Sequence, residues 1–107
     1  MILTGKLLGE HSPYIFNLVY DIDVRMLFIE CVNSVKAKKP DIRIVFPEIL
    51  SYSEKNLQKQ PEDEYMDDLV VVEQTDKTGD QYTIKVTTYK KEIELILTAE
   101  PFTEELR

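Results

Sequence analysis

One stretch, Tyr82–Thr98 (YTIKVTTYKKEIELILT), limits the possible folds more than any other. Apolar residues alternate with polar ones on both sides of Tyr89–Glu92, which is the pattern of two strands folded back on each other. With Lys90 and Lys91 at the tip, Ile84 is expected to meet Leu97, Val86 to meet Leu95 and Thr88 to meet Ile93 on one face. Thr83 then meets Thr98, Lys85 meets Ile96 and Thr87 meets Glu94 on the other. A slip of one residue would turn the apolar row to water, so the alternation is expected to fix this register. A lone hairpin is marginal in water, so earlier strands must cover that face.

The rest of the chain is long enough to supply them. Its 107 residues make one domain, and a chain of that size buries roughly two-thirds of the surface it exposes when unfolded. A hydrophobic fraction of 43% argues against disorder of the whole chain. No apolar run approaches the roughly 20 residues that a membrane helix needs, so no membrane partner is expected. The start, MILTGKLLGEHS, lacks a basic segment followed by a long apolar one, so it is not read as a secretion signal. The single cysteine cannot form an internal disulfide, and a cytoplasmic protein is expected. A net charge of −7 argues against general nucleic-acid binding, which needs a cationic face, and suits a basic partner.

Ile2–Leu8 reads as a short first strand, with Gly5 as a bulge or a place of close backbone approach, followed by a turn at Gly9–Pro13. Tyr14–Asp21 alternates, with Tyr14, Phe16, Leu18 and Tyr20 on one face. Met26–Val32 returns with Leu27, Ile29 and Cys31 on one face. Pairing Leu18 with Ile29 and Phe16 with Cys31 also sets Asn17 opposite Glu30, so both faces agree in one register. Asp41–Phe46 follows Pro40 as a strand with Ile42, Ile44 and Phe46 inward. Pro47 ends it or bends it at a sheet edge. Glu48–Tyr52 reads as strand, with a short helix over Glu48–Gln60 as the alternative. Leu69–Glu73 is a further strand, Thr75–Gln81 a tight connection, and Phe102–Arg107 a tail. About seven short strands and at most one short helix predict an all-β domain spanning residues 1–107, an antiparallel sandwich or a strongly curled sheet.

No catalytic constellation is visible. His11, the only histidine, cannot supply a multi-histidine metal site and reads as a solvated turn residue beside Glu10 and Ser12. Cys31 shares a strand face with Leu27 and Ile29 and reads as a small core residue. The three glycines stand apart, so there is no phosphate loop, and no cofactor, metal or enzyme activity is expected.

The most unusual segment is Pro61–Glu73 (PEDEYMDDLVVVE), six acids with no base between them and Tyr65 and Met66 in their midst. Charge runs of this kind are commonly solvated loops, and as such these carboxylates should be dispensable for folding. Calcium is a poor fit, because the spacing of a calcium loop is absent. The functional reading is a partner-binding surface made by Glu62, Asp63, Glu64, Tyr65, Asp67 and Asp68, where aromatic area anchors and charge steers. The basic run Lys36–Arg43 has no interleaved aromatics for base stacking and reads as a solubilising loop.

Asp41–Tyr52 (DIRIVFPEILSY) and Gln81–Pro101 (QYTIKV, then EIELILTAEP) together resemble the small acidic β-rich immunity proteins of bacterial polymorphic toxin systems. Small phage-encoded inhibitors share the texture, whereas the tryptophan of many immunity families is missing here. The resemblance implies a protein that works by covering another protein, such as a toxin, and it assigns no role to any residue. Two other readings stand beside it. One is a structural or accessory protein of a phage or an assembly, working through sheet-edge contacts that also allow a homodimer. The other is a small-molecule binder lined by Tyr14, Tyr20 and Tyr82.

Overall fold

The computed structural model describes residues 1–57 and 67–106. Among them are one short helix, α1 (Thr4–Leu8), and eight strands. The strands are β1 (Tyr14–Asp21), β2 (Met26–Val32), β3 (Ile42–Phe46), β4 (Ile49–Asn56), β5 (Leu69–Thr78), β6 (Gln81–Thr88), β7 (Lys91–Leu97) and β8 (Phe102–Glu105). They form two four-stranded antiparallel sheets, ordered β1-β2-β3-β8 and β4-β7-β6-β5. Leu27, Ile29, Cys31, Ile44 and Phe46 of the first sheet pack against Ile49, Val72, Ile84, Val86, Ile93, Leu95 and Leu97 of the second. This is the all-β sandwich the alternation predicts, with the faces of β2, β3, β6 and β7 buried as expected.

The hairpin that anchors the prediction is β6–β7, and its register is shifted by two residues. Ile84 faces Leu95, Val86 faces Ile93 and Lys85 faces Glu94. The chain reverses over Tyr89–Lys90 instead of Lys90–Lys91. Thr88 sets this point. Its side chain is buried, its hydroxyl donates to Asp67 Oδ2 at 2.6 Å, and it accepts from the backbone N–H of Lys90 (3.1 Å) and Lys91 (2.9 Å). A shift of two leaves every side chain on its original face, which is why the buried row survives the correction.

In the first sheet Leu18 faces Ile29 and Asn17 faces Glu30, as expected. Cys31, however, faces Ile15, because the ladder shifts between Ile15 and Asn17. Phe16 is the extra residue of a bulge, so it turns outward and Ile15 takes the buried place. The β1–β2 turn is tied by the Asp21 carboxylate, which accepts the N–H of Asp23 (3.0 Å) and of Val24 (3.3 Å). Pro47 and Glu48 carry the chain from the first sheet to the second, with Glu48 at φ 50. Glu48 is held there by Thr98, whose N–H and hydroxyl both reach it at 3.1 Å. The strand reading of Glu48–Tyr52 holds from Ile49 on, in β4, while Glu48 itself is the bend; the last residues of the helical alternative, 58–60, lie outside the described residues.

Three expectations are corrected. Ile2–Leu8 is not a strand: Ile2 makes one bridge to Glu73, and Thr4–Leu8 is helical with Gly5 inside it. Leu3 and Leu7, four apart, both enter the core, and Gly9 at φ 60 ends the turn. Thr75–Gln81 is not a loop, since β5 runs to Thr78 and only Gly79 and Asp80 turn. Residues 102–105 are not a tail but β8, which adds to β3 and whose Thr103 hydroxyl donates to Leu7 O at 2.6 Å.

Candidate protein-interaction site

The acidic segment joins the sandwich where β1, β5 and the β6–β7 turn meet. The Ile15 N–H donates to Asp67 O at 2.8 Å, the Leu69 N–H to Pro13 O at 2.9 Å and the Tyr89 N–H to Asp68 O at 3.3 Å. The Asp67 carboxylate takes the Thr88 hydroxyl on one oxygen, and the N–H groups of Asp68 (2.9 Å) and Lys90 (3.3 Å) on the other. A half-buried carboxylate with three donors is a fastening for the turn. This corrects the expectation that the carboxylates here are dispensable for folding, as far as Asp67 is concerned. Asp68 is half-buried too, and burial first, then the charge of Asp67, raise its pKa.

The fastened turn presents Tyr89, which is 66% exposed. An exposed aromatic on a stiff turn, next to two carboxylates, combines anchoring area with a negative field. Of the residues assigned to a partner surface, Asp67 and Asp68 therefore stand beside Tyr89; Glu62, Asp63, Glu64 and Tyr65 lie outside the described residues. Tyr89 is not among the residues the sequence singles out for a partner surface, although it is a large aromatic at the tip of the best-defined hairpin.

The remaining candidates have settled surroundings. Cys31 is fully buried, and burial pushes its thiol up to about 12, so it is not a nucleophile at neutral pH. His11 is not solvated. Its ring is 11% exposed, Nδ1 lies 2.7 Å from Ser12 O, and Nε2 points toward Asp41 Oδ2 at 3.5 Å. Tyr20 stacks on Tyr52 with ring centroids 4.1 Å apart, Tyr82 lies under Lys77 Nζ at 5.3 Å, and Tyr14 bridges to Asp68. Each of the three tyrosines proposed as pocket lining thus has a separate partner. Lys36, Lys38 and Lys39 are exposed, while Arg43 is bound to Glu30 at 2.8 Å. Among the described residues no group of three or more His, Cys, Asp or Glu is placed to hold a metal ion, and no helix is long and apolar enough to cross a membrane. Compared with protein-family models, curated proteins and solved structures, the chain matches none.

Proposed function

We propose that this chain works by binding and covering a basic protein, with immunity to a cognate toxin as the leading form. The observation that carries this reading is Tyr89, exposed on a turn that Asp67 and Thr88 hold in place, beside Asp67 and Asp68. A protein carrying −7 attracts a basic partner over a distance, and a pre-set aromatic reduces the ordering cost of contact. The accessory-protein alternative would use β4, one of the two outer strands of the second sheet, as a pairing edge. The test begins with co-purification from the source cells and with co-expression beside the neighbouring gene's product. Binding of the purified partner is then measured at two salt concentrations for wild type, Tyr89→Ala, and Glu62→Gln/Asp63→Asn/Glu64→Gln. Tyr89→Ala should weaken affinity by about 2 kcal/mol, mainly through faster dissociation. The amide variant should slow association most at low salt. Unchanged affinity and on-rate in both variants would remove the reading.

A further inference from the structure

The outer face of the first sheet carries a feature that a solvent-facing antiparallel sheet normally lacks. The register places Val19 opposite Phe28, Phe28 opposite Val45, and Val45 opposite Phe102. These four residues line up across all four strands on the side away from the core cluster; Val45 is only 2% exposed and Phe28 is half-buried, so the open apolar surface is that of Val19 and Phe102 with part of Phe28. The two ends of the row are open, Val19 at 43% and Phe102 at 44% exposed. Solvated sheet faces alternate to polar residues, and isolated apolar side chains on a surface are common, but a continuous row is not.

The neighbouring row gives the chemistry of what could cover it. Asn17, Glu30, Arg43 and Glu104 stand side by side in the same register. Arg43 Nη2 lies 2.8 Å from Glu30 Oε2, Arg43 Nη1 lies 3.5 Å from Glu104 Oε2, and its guanidinium sits 5.4 Å from the centre of the Phe28 ring. The one cation of this row is thus shared between two carboxylates. Asp21 lies two residues beyond Val19, on the other flank of the apolar row. Three carboxylates against one guanidinium leave the rim negative on both sides of an apolar centre.

We infer that this face is a docking surface for a protein that presents an apolar ridge flanked by lysine or arginine. A second copy of the chain would set negative rim against negative rim, and both copies carry −7. A cationic partner meets complementary charge instead. Three inter-strand steps of about 4.8 Å make the row about 14 Å long, which suits a single ridge of two or three side chains. The inference rests on the reading that the chain binds a basic protein, and it adds a second contact surface to the Tyr89 turn.

The probe is a synthetic amphipathic peptide of leucine and lysine, titrated into the ¹⁵N-labelled full chain, with a leucine–glutamate peptide as control. Saturable shift changes are expected in the amides of β1, β2, β3 and β8, weakening with salt, and absent with the glutamate peptide. Val19→Ser/Phe102→Ser should weaken binding at least tenfold; a matching far-UV spectrum and thermal midpoint would show that it folds. Phe102→Lys alone, an edge-strand change at an already half-exposed position, serves as the milder second variant and should also weaken it. Shifts at Asp67, Asp68 and Tyr89 alone, shifts scattered over all carboxylates, or no binding would each overturn the docking surface. So would concentration-dependent dimerisation that Val19→Ser/Phe102→Ser abolishes, since that assigns the face to a second copy. The basic-protein reading has its own readout in the Tyr89→Ala affinity for the co-purified partner, so either conclusion can fail while the other stands.

Discussion

Leu95→Ala tests the core with the least ambiguity. Leu95 is fully buried in β7, a central strand, where it faces Ile84 on β6 and Tyr52 on β4. Hydrogen-bonded strands on both sides limit how far the backbone can move inward, so the cavity left by the leucine would stay largely open. Truncations of buried leucine cost about 2–5 kcal/mol, and a site that cannot collapse belongs in the upper part of that range, about 3–5 kcal/mol. An unfolding entropy of about 2.1 cal/mol/K per residue turns this into a drop in midpoint of about 13–22 °C for a chain of 107 residues. Lys85→Ala is the control, on the opposite face of the adjacent strand. It loses one exposed ion pair, with Glu92 at 3.2 Å, and such pairs contribute about 0–1 kcal/mol. Thermal unfolding followed by circular dichroism measures both. Equal midpoints for the two variants would refute the assignment of faces. Register needs a separate test: Lys85→Cys/Glu94→Cys should oxidise readily, because directly opposed residues of neighbouring strands are close enough to be bridged. Failure to oxidise while a Lys85→Cys/Ile96→Cys pair does would return the hairpin to the register expected from the alternation alone.

Cys31 should react with a thiol reagent very slowly in the native protein and fast after unfolding, and equal rates would show an open thiol. Because its folded pKa is raised, to about 12, the native state keeps the proton that the unfolded state loses. Stability linked to this group is present below the unfolded thiol pKa of about 8.5 and falls as pH rises above it, so Cys31→Ala should show a shallower alkaline loss of stability. Asp67→Ala should destabilise by about 1–3 kcal/mol, since it strips the charged acceptor from Thr88 and from two backbone N–H groups. Asp68→Asn should do the opposite. Its raised folded pKa favours the neutral form, so ionisation costs stability at neutral pH, and the gain from the amide should vanish below the unfolded carboxylate pKa of about 3.9. Thermal midpoints at neutral and acid pH check both aspartates, and a destabilised Asp68→Asn would contradict the burial argument.

Alternation along the chain is a local property, and it alone determined which sides of β2, β3, β6 and β7 meet the core. Leu27, Ile29, Ile44, Phe46, Ile84, Val86, Leu95 and Leu97 all face inward, as their parity requires. Parity cannot distinguish registers that differ by two residues. The hairpin tip was therefore decided by Thr88 and Asp67, which are 21 residues apart in the chain and 2.6 Å apart in the fold. Parity also fails wherever a residue is inserted into a ladder, and nothing local marks Phe16 as a bulge; it shows only in the pairing, where Ile15 faces Cys31 and donates its N–H to Asp67 O. Thr4–Leu8 is too short and too glycine-containing to be a helix by propensity, and it is one because Leu3 and Leu7 reach the core together from successive turns. β8 was unreadable because four residues, FTEE, have little alternation of their own; they became a strand only when β3 offered an unpaired edge. The outer row of Val19, Phe28, Val45 and Phe102 has the same origin. Its members come from four separate strands, and only the pairing of those strands places them side by side.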